Sequence, residues 1–354
     1  MFPYLLLLFI LLTISYLGID KTARKYKPIF VIISFLYLWL FSGLRYQVGM
    51  DYVSYEDYYN ESYFGICPDF KEPGFAFLFY ICRRIGLPFY VITLLISFIT
   101  IYLIYKFIFR YSALPFLSIL IFYTFAHYYT YSFNVMRQVL ASYIFLVSIN
   151  FIVQRKFLRY ALIILFTTSF VHMTAIVLLP LYFILQKYYS LILKIFLIVL
   201  SCMFAGIFVT IIGNIEIYSI YLKFENYAHG VSITTVVLML LSSFFLMYES
   251  QKSSKEPLNN IMYNINYLVL LFSSISICFS NNPLILVFTR FSIYFTPIFL
   301  ILIPNIVTIT IRKPMRLLII VSIISMLYSG IFILQLKSGG EKNKFIPYKT
   351  VLNK

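Results

Sequence analysis

Long apolar runs recur along almost the whole 354-residue chain, from Met1 to Leu336. A run of roughly 18 apolar residues can cross a bilayer as a helix, and a single hydrophobic core could not bury so many of them. Only 11% of the residues are charged, against about 25% in soluble domains, and the mean hydropathy is +0.92. The sequence therefore predicts an all-α, polytopic membrane protein and excludes a soluble globular one.

About twelve apolar segments are suitable for spanning helices, which need roughly 20 residues each. The segments are residues 2–18, 28–44, 88–109, 113–131, 136–153, 158–171, 173–186, 190–212, 231–248, 261–280, 290–311 and 315–336. We expect one membrane domain over residues 1–336, outer loops near 45–87 and 213–230, and a separate outer tail at 337–354. The stretch 158–185 is either two short helices or one broken helix.

Positive charge sets the expected orientation. No basic residue precedes the first segment and no small-residue cleavage site follows it, so we interpret it as a retained helix. Lys21, Arg24, Lys25 and Lys27 come directly after it and place that connection in the cytoplasm. Most of the 28 basic residues then fall on cytoplasmic connections, with both termini outside. The net charge of +16 thus reports orientation, and nucleic acid is not an expected partner.

The cysteines and acidic residues give no sign of a metal centre. Cys67, Cys82, Cys202 and Cys278 lie far apart and form no Cys-x-x-Cys pair. No Asp-x-Asp motif is present. We therefore expect neither a metal ion nor another cofactor.

Polar residues collect at the outer ends of the predicted helices. A charged group at membrane depth costs several kcal/mol, so such groups usually face a cavity or a partner. The residues at or just beyond the outer ends are Arg45, Asp51, Glu56, Asp57, Glu72, Arg137, His172 and Arg290. One outward-facing polar site, assembled from distant stretches, is the simplest account of this bias.

Each stretch also has a structural interpretation. Arg45 and Asp51 can present an anion binder and a base, or belong to an interfacial belt of tyrosines with a snorkelling arginine. Glu72 precedes a proline and can simply begin a helix. Arg137 lies between Asn134 and Gln138 on one predicted helix face, which suits a substrate phosphate or a lipid phosphate.

Two further residues complete the set. His172 lies in the middle of the apolar stretch 158–185, where the chain must break or reverse, so it either handles a proton or holds the break by hydrogen bonds. Arg290 opens the eleventh segment and is unremarkable alone. Together with Arg45 and Arg137, it would give the outer site three cations for an anionic substrate.

Five of these stretches, in this order, resemble the EpsG family of Wzy-type polysaccharide polymerases. They are Gly-Leu-Arg-Tyr followed by Gly-x-Asp-Tyr-x-x-Tyr (43–55), Glu-Pro-Gly-Phe (72–75), Arg-Gln-x-Leu-Ala (137–141), Phe-Val-His-x-x-Ala (170–175) and Arg-Phe-x-x-Tyr-Phe (290–295). The resemblance implies a GT-C-like membrane glycosyltransferase of the bacterial inner membrane. It would join oligosaccharide repeat units carried on undecaprenyl diphosphate, at the periplasmic or outer face, with a flippase and a chain-length regulator as possible partners.

The residues suit that chemistry. Breaking the bond from an anomeric carbon to diphosphate leaves negative charge on the leaving group, which needs electrostatic stabilisation. We assign Arg45, Arg137 and Arg290 to the diphosphates. The acceptor hydroxyl needs a base, for which Asp51 is the first choice, with His172 and Glu72 behind it.

The remaining expected contacts are to the sugars of the substrate. Aromatic rings stack on sugar faces, although tyrosine at a membrane interface needs no such explanation. The expected substrate-binding residues, besides the three arginines, are Tyr52, Tyr55, Glu72, Gln138 and Tyr294.

Two other functions remain open at this stage. A flippase or transporter for lipid-linked oligosaccharides would also have about twelve spans, but alternating access needs polar groups near the membrane midplane, and internal repeats are common in such folds. A membrane O-acyltransferase of surface glycans would also use His or Arg, but would take its acyl donor from the cytoplasm. The outer location of the charges favours the polymerase.

Overall fold

The computed structural model describes residues 1–19, 25–62, 72–125, 127–213, 232–251, 256–280, 282, 285–311 and 313–352. Most of these residues are helical, and no β-strand occurs among them. The first helices are α1 (Phe2–Ile19), α2 (Lys27–Gly43), α3 (Tyr52–Glu61), α4 (Pro73–Arg84), α5 (Phe89–Tyr111), α6 (Pro115–Thr124), α7 (Met136–Val153) and α8 (Phe157–Phe170). The others are α9 (Leu181–Ile184), α10 (Leu191–Gly213), α11 (Ile233–Gln251), α12 (Pro257–Cys278), α13 (Ile285–Ser292), α14 (Phe299–Thr310) and α15 (Pro314–Gly339).

The apolar helices follow the predicted segments closely. Six stretches are long and apolar enough to cross a membrane: Phe2–Ile19, Phe89–Tyr111, Met136–Val153, Pro257–Cys278, Val287–Thr310 and Pro314–Gly339. Six shorter apolar helices are Lys27–Gly43, Pro115–Thr124, Phe157–Phe170, Met173–Ile184, Leu191–Ile207 and Ile233–Glu249. The prediction of a polytopic helical membrane protein is therefore confirmed, whereas twelve spans and a GT-C-like architecture stay predictions.

The stretch 158–185 is interrupted at His172. Helix α8 ends at Phe170, His172 has extended backbone angles (φ −158°, ψ 117°), and a 3-10 helix follows over Met173–Leu178. Pro180 then precedes the short helix α9. The break that the sequence required is thus present, and it places a histidine where the backbone leaves the helix.

The first predicted outer loop, residues 45–87, contains two helices. Helix α3 begins after Asp51, and helix α4 begins at Pro73, whose missing N–H is tolerated at a first helical position. The face of α4 that includes Phe75 and Phe79 is buried. The second predicted loop, 213–230, lies outside the described residues except for residue 213.

The described residues divide into two compact units. Unit 1 comprises Met1–Ser148, Ala161–Leu179 and Leu300–Lys354, and unit 2 comprises Ile149–Tyr160 and Pro180–Phe299. The expected single domain over 1–336 stays a prediction.

Unit 1 is held together by buried tyrosines that bond to helix carbonyls. The Tyr123 hydroxyl donates to the Tyr4 carbonyl at 2.7 Å, and the Tyr129 hydroxyl donates to the Leu38 carbonyl at 2.7 Å. Helix α2 packs along α5, where the Trp39 indole N–H donates to the Leu94 carbonyl at 2.9 Å. A buried tyrosine needs a partner for its hydroxyl, and these carbonyls provide it without leaving the apolar interior.

Unit 2 has a polar seam inside an apolar bundle. The Lys194 ammonium, on α10, bonds to both carboxylate oxygens of Glu249, on α11, at 2.7 and 2.8 Å. On α12, the side-chain amides of Asn260 and Asn264 donate to the carbonyl of Leu185 at 3.3 and 3.0 Å. These bonds fix the short connection after α9 against α12.

Candidate functional site

Glu72 is the centre of a polar cluster in unit 1. Its Oε2 accepts a hydrogen bond from Nη1 of Arg137 at 2.5 Å, and its Oε1 lies 3.1 Å from Nδ1 of His172. The backbone N–H of Met173 also donates to Oε1 at 3.1 Å. Arg137 and His172, which follow Glu72 by 65 and 100 positions in the chain, therefore both contact one carboxylate. We call Glu72, Arg137 and His172 the acid–base cluster.

Helix ends bring the cluster together. Glu72 is the residue before α4, Arg137 is the second residue of α7, and His172 precedes the 3-10 helix. Gly74 allows the start of α4 to approach α8, since a Cβ on this glycine would lie 2.4 Å from the Cα of Phe170. A larger residue at 74 would therefore push Glu72 away from His172.

The environment of Glu72 keeps its carboxyl group ionised. Burial alone would raise the pKa of Glu72. The hydrogen bond with His172, the charge of Arg137 and the N–H of Met173 outweigh burial, and together they lower the pKa to about 2. Charged hydrogen-bond donors favour the carboxylate in this way even where water is largely excluded. Glu72 is therefore a fixed negative charge at neutral pH.

Exposure differs among the three side chains. Glu72 is 4% exposed, whereas Arg137 is 21% and His172 is 18% exposed. The carboxylate is thus the most buried of the three groups, and the guanidinium and the imidazole are the more exposed ones. Two aromatic rings flank the guanidinium, with centroids 5.6 Å (Tyr55) and 5.7 Å (Phe75) from its carbon.

Tyr55 also bonds to the cluster. Nε of Arg137 donates to the Tyr55 hydroxyl at 3.4 Å, so α3 and the residue before α4 each supply one partner to the same guanidinium. An arginine held by a carboxylate and a ring loses little freedom when it binds an anion, because its orientation is already fixed.

Arg45 lies away from solvent. It is 2% exposed, and its Nη1 donates to the Ser42 carbonyl at 2.5 Å. The rings of Phe133 and Tyr52 lie 4.8 and 5.9 Å from the guanidinium carbon. Burial lowers the pKa of this guanidinium, and nearby tyrosines partly oppose the shift. No carboxylate pairs with Arg45 among the described residues, so carbonyl dipoles and aromatic faces stabilise it.

The C-terminal segment closes over Arg45 and is not a separate tail. Residues 340–352, which we call the C-terminal strap, return to the loop after α2. The Tyr46 N–H donates to the Lys349 carbonyl at 2.9 Å, and the Gly49 N–H donates to the Lys344 carbonyl at 3.0 Å. Tyr348 stacks on Phe41 with ring centroids 4.1 Å apart. The strap therefore holds the loop that leads to Asp51 and α3.

Gly49 and Asn134 link that loop to the start of α7. Gly49 has φ +101°, and a Cβ there would lie 2.7 Å from the Phe133 carbonyl oxygen. The next N–H, of Met50, donates to Oδ1 of Asn134 at 2.8 Å. Asp51, which follows, is half-buried and precedes α3. The loop and the helix that carries Arg137 are thus positioned together.

A family comparison decides what kind of protein carries this cluster. The family model described as "EpsG family" matches residues 28–350. The chain belongs to the EpsG family. This is the family of Wzy-type polysaccharide polymerase-like proteins. No curated protein and no solved structure matches the sequence.

The EpsG match includes the whole acid–base cluster and nearly all of the C-terminal strap. The expected resemblance is confirmed over most of the chain, from α2 to residue 350. The strap was expected to be a tail outside the membrane domain. Its hydrogen bonds to the loop that follows Arg45 instead make it part of unit 1.

The other predicted site residues of this EpsG chain have varied surroundings. Tyr52, Tyr55 and Gln138 are buried, with exposed fractions of 2%, 7% and 4%. Arg290 and Tyr294 belong to unit 2. Arg290 is exposed in the last turn of α13, and Tyr294 is buried. Substrate binding by these residues stays a prediction. Among the described residues, no three His, Cys, Asp or Glu side chains are grouped as metal ligands would be.

Proposed function

We propose that this EpsG-family protein polymerises lipid-linked oligosaccharide repeat units at the outer face of the bacterial inner membrane. The growing glycan moves from undecaprenyl diphosphate to a sugar hydroxyl of another lipid-linked unit. The observation that carries the proposal is the acid–base cluster, in which one buried carboxylate orients a guanidinium and an imidazole that both reach the surface.

The reaction needs a cation for the leaving group and a base for the acceptor hydroxyl. The acceptor oxygen forms a bond to the anomeric carbon, the bond from that carbon to the diphosphate breaks, and the hydroxyl proton moves to a base. The electron pair of the broken bond leaves with the lipid diphosphate. A positive charge fixed beside the leaving group stabilises it without reorganisation, and a basic group within hydrogen-bond reach accepts the proton.

Arg137 is the cation of this mechanism. A guanidinium presents a planar fork of donors that matches phosphate oxygens. Its contacts with Glu72 and Tyr55 set the direction of that fork. Arg290, which is exposed, is the second candidate for the diphosphate. Arg45 is 2% exposed, so we assign it instead to holding the loop and the C-terminal strap.

His172 is the base that the geometry favours over Asp51. An ionised carboxylate only accepts hydrogen bonds, so the Nδ1 that faces Glu72 carries the proton and Nε2 is the basic nitrogen. Glu72 then stabilises the imidazolium that forms. Glu72 itself is a poor base, since a carboxyl with a pKa of about 2 holds a proton weakly at neutral pH. Asp51 remains the second candidate.

The test is a gel of lipid-linked and surface polysaccharide from a strain that lacks this gene, with and without complementation. Loss of the long-chain ladder, with single repeat units still delivered to the surface, supports the polymerase. Loss of the single unit as well would indicate a flippase. An unchanged ladder with altered acyl content would indicate an O-acyltransferase.

Variants then test the assigned roles at equal membrane level. Arg137→Ala and His172→Ala should both abolish the ladder, and Asp51→Asn should leave a shortened one. Arg84→Ala is the matched control, because Arg84 is an exposed arginine whose Nε donates to the Tyr80 hydroxyl, away from the cluster. A normal ladder from Arg137→Ala would show that Arg137 is not part of the site. A lost ladder from Asp51→Asn together with a normal one from His172→Ala would make Asp51 the base instead of His172.

A further inference from the structure

A cavity lies in unit 1 beside the first residue of α2, whereas Arg45 follows the last residue of that helix. It has a volume of about 310 Å³ and lies where α1 ends and α2, α6 and α15 begin. Its walls include Ser15, Lys27, Phe109, Phe116 and Leu317. Helix α2 runs from this cavity to Gly43, about 24 Å away at roughly 1.5 Å per residue. Charge bias assigns this end to the cytoplasm.

Ser15 is a buried polar group that needs a partner in this cavity. Its side chain is 1% exposed, and its Oγ has no hydrogen-bond partner among the described residues. By contrast, Thr13 on α1 bonds to the Phe9 carbonyl, and Ser34 on α2 bonds to the Phe30 carbonyl. A buried hydroxyl without a partner is costly and rare. A ligand in the cavity would supply one.

The other polar groups of the cavity attract an anion. Lys27, an exposed residue, lines it, and so does the first turn of α6, which begins at Pro115. The first N–H groups of a helix have no carbonyl partner within that helix and carry partial positive charge. Arg110 and Arg316 are next in sequence to the lining residues Phe109 and Leu317, and Asp20 is next to the lining residue Ile19. The helices α1, α2, α5, α6 and α15 themselves contain no Asp or Glu.

The rest of the lining is apolar and suits a hydrocarbon chain. Phe109, Phe116 and Leu317 offer nothing to a free inorganic anion, and the volume exceeds what one phosphate group fills. Basic pockets between membrane helices on the cytoplasmic side bind anionic lipid head groups. We propose that this cavity binds the phosphate of an anionic phospholipid through Lys27 and Ser15, with its apolar walls around the first carbons of the acyl chains.

The test measures lipid binding by the delipidated, full-length protein, and its outcome does not depend on the polymerase assignment. Native mass spectrometry would count retained lipids after exposure to vesicles of equal parts phosphatidylglycerol and phosphatidylcholine, and to phosphatidylcholine alone. Phosphatidylglycerol should be retained preferentially. Lys27→Gln should weaken its retention about five-fold, and Ser15→Ala should weaken it by a similar factor because a neutral hydrogen bond is lost.

Two control variants distinguish a specific binding site from general attraction to a basic surface. Lys25→Gln removes the same charge two residues away, and Thr13→Ala removes a hydroxyl that already bonds within α1. Both should keep wild-type retention to within about two-fold. Equal weakening by Lys25→Gln and Lys27→Gln, or no effect of Ser15→Ala, would overturn the proposal. If glycerol phosphate displaced the lipid at equal concentration, the ligand of the cavity would be a soluble phosphate, and the lipid proposal would be overturned.

Discussion

Glu72→Gln is the substitution that most directly tests the acid–base cluster. The carboxylate of Glu72 bonds to Arg137, His172 and the N–H of Met173. Glutamine has nearly the same shape but carries no charge, and its amide group has two donors. One of those donors must then face a donor of Arg137 or His172, and the buried end of the guanidinium loses its counter-charge.

The magnitude follows from the pKa of Glu72. Lowering that pKa from its ordinary value of 4.5 to about 2 means that folding favours the carboxylate over the neutral acid by about 3 kcal/mol. Breaking a buried ion pair costs roughly 3–5 kcal/mol, and the 21% exposure of Arg137 places this pair at the low end. We therefore expect Glu72→Gln to lower the free energy of unfolding by about 3 kcal/mol.

Chemical unfolding of the purified protein in detergent measures this change. Glu61→Gln is the matched control, because Glu61 is an exposed carboxylate at the end of α3. The double variant Glu72→Gln with Arg137→Gln should lose less stability than the sum of the two single variants, because it removes the uncompensated charge together with its partner. A wild-type unfolding free energy for Glu72→Gln, or strict additivity in the double variant, would refute the reasoning.

The same pKa predicts a pH dependence. The folded-state pKa of Glu72, about 2, lies below its ordinary value of 4.5. Its stabilising contribution is therefore fully present above pH 4.5 and is lost as the pH falls towards 2. The stability difference between the wild-type protein and Glu72→Gln should shrink across that interval. A difference that stays constant down to pH 2 would mean that the carboxylate does not contribute through its charge.

Three further substitutions test contacts elsewhere in the protein by thermal unfolding. Gly49→Ala should cost about 3 kcal/mol, because φ is +101° and a backbone carbonyl blocks the new Cβ, whereas Gly86→Ala, at φ +74° in open space, should cost about 1 kcal/mol. Lys194→Met should destabilise the protein by about 2 kcal/mol by leaving Glu249 unpaired, and Glu249→Gln should restore part of the loss. Tyr348→Phe should cost about 1 kcal/mol, since it loses a 2.6 Å bond to a backbone carbonyl of α2; no change would show that the strap is not held there.

The sequence alone was sufficient to predict the apolar helices and to identify the three members of the cluster as candidate site residues. Hydropathy is local, so each predicted apolar segment corresponds to an apolar helix of the structure. Glu72, Arg137 and His172 were recognised because charged groups at helix ends are exceptional in an apolar chain. Their mutual contacts could not be predicted, because nothing in a single sequence indicates which of several outer charges share one carboxylate.

Arg45 shows where single-sequence reasoning fails. Its position after an apolar helix predicted an anion binder, yet the side chain is 2% exposed. The reason is a contact more than 300 residues away in the chain, where the strap pairs with the loop and Thr350 forms a bridge with Arg45 itself. Burial of that kind depends on the return of the chain, and no local pattern near Arg45 records it.

The positions of the three cluster residues explain how a membrane protein can contain charged groups at low energetic cost. Each lies at a helix terminus. Arg137 is in the first turn of Met136–Val153, a candidate spanning helix, and the ends of such a helix are near the interface, so its charge does not need to lie at the bilayer centre. Glu72 and Arg137 neutralise each other, and in the proposed mechanism His172 is neutral before it accepts the proton. The resting cluster therefore has a net charge near zero. Negative charge that develops on a leaving diphosphate then meets Arg137, while the proton that His172 gains is balanced by Glu72, so both changes of charge during the proposed reaction are compensated within one group of contacts.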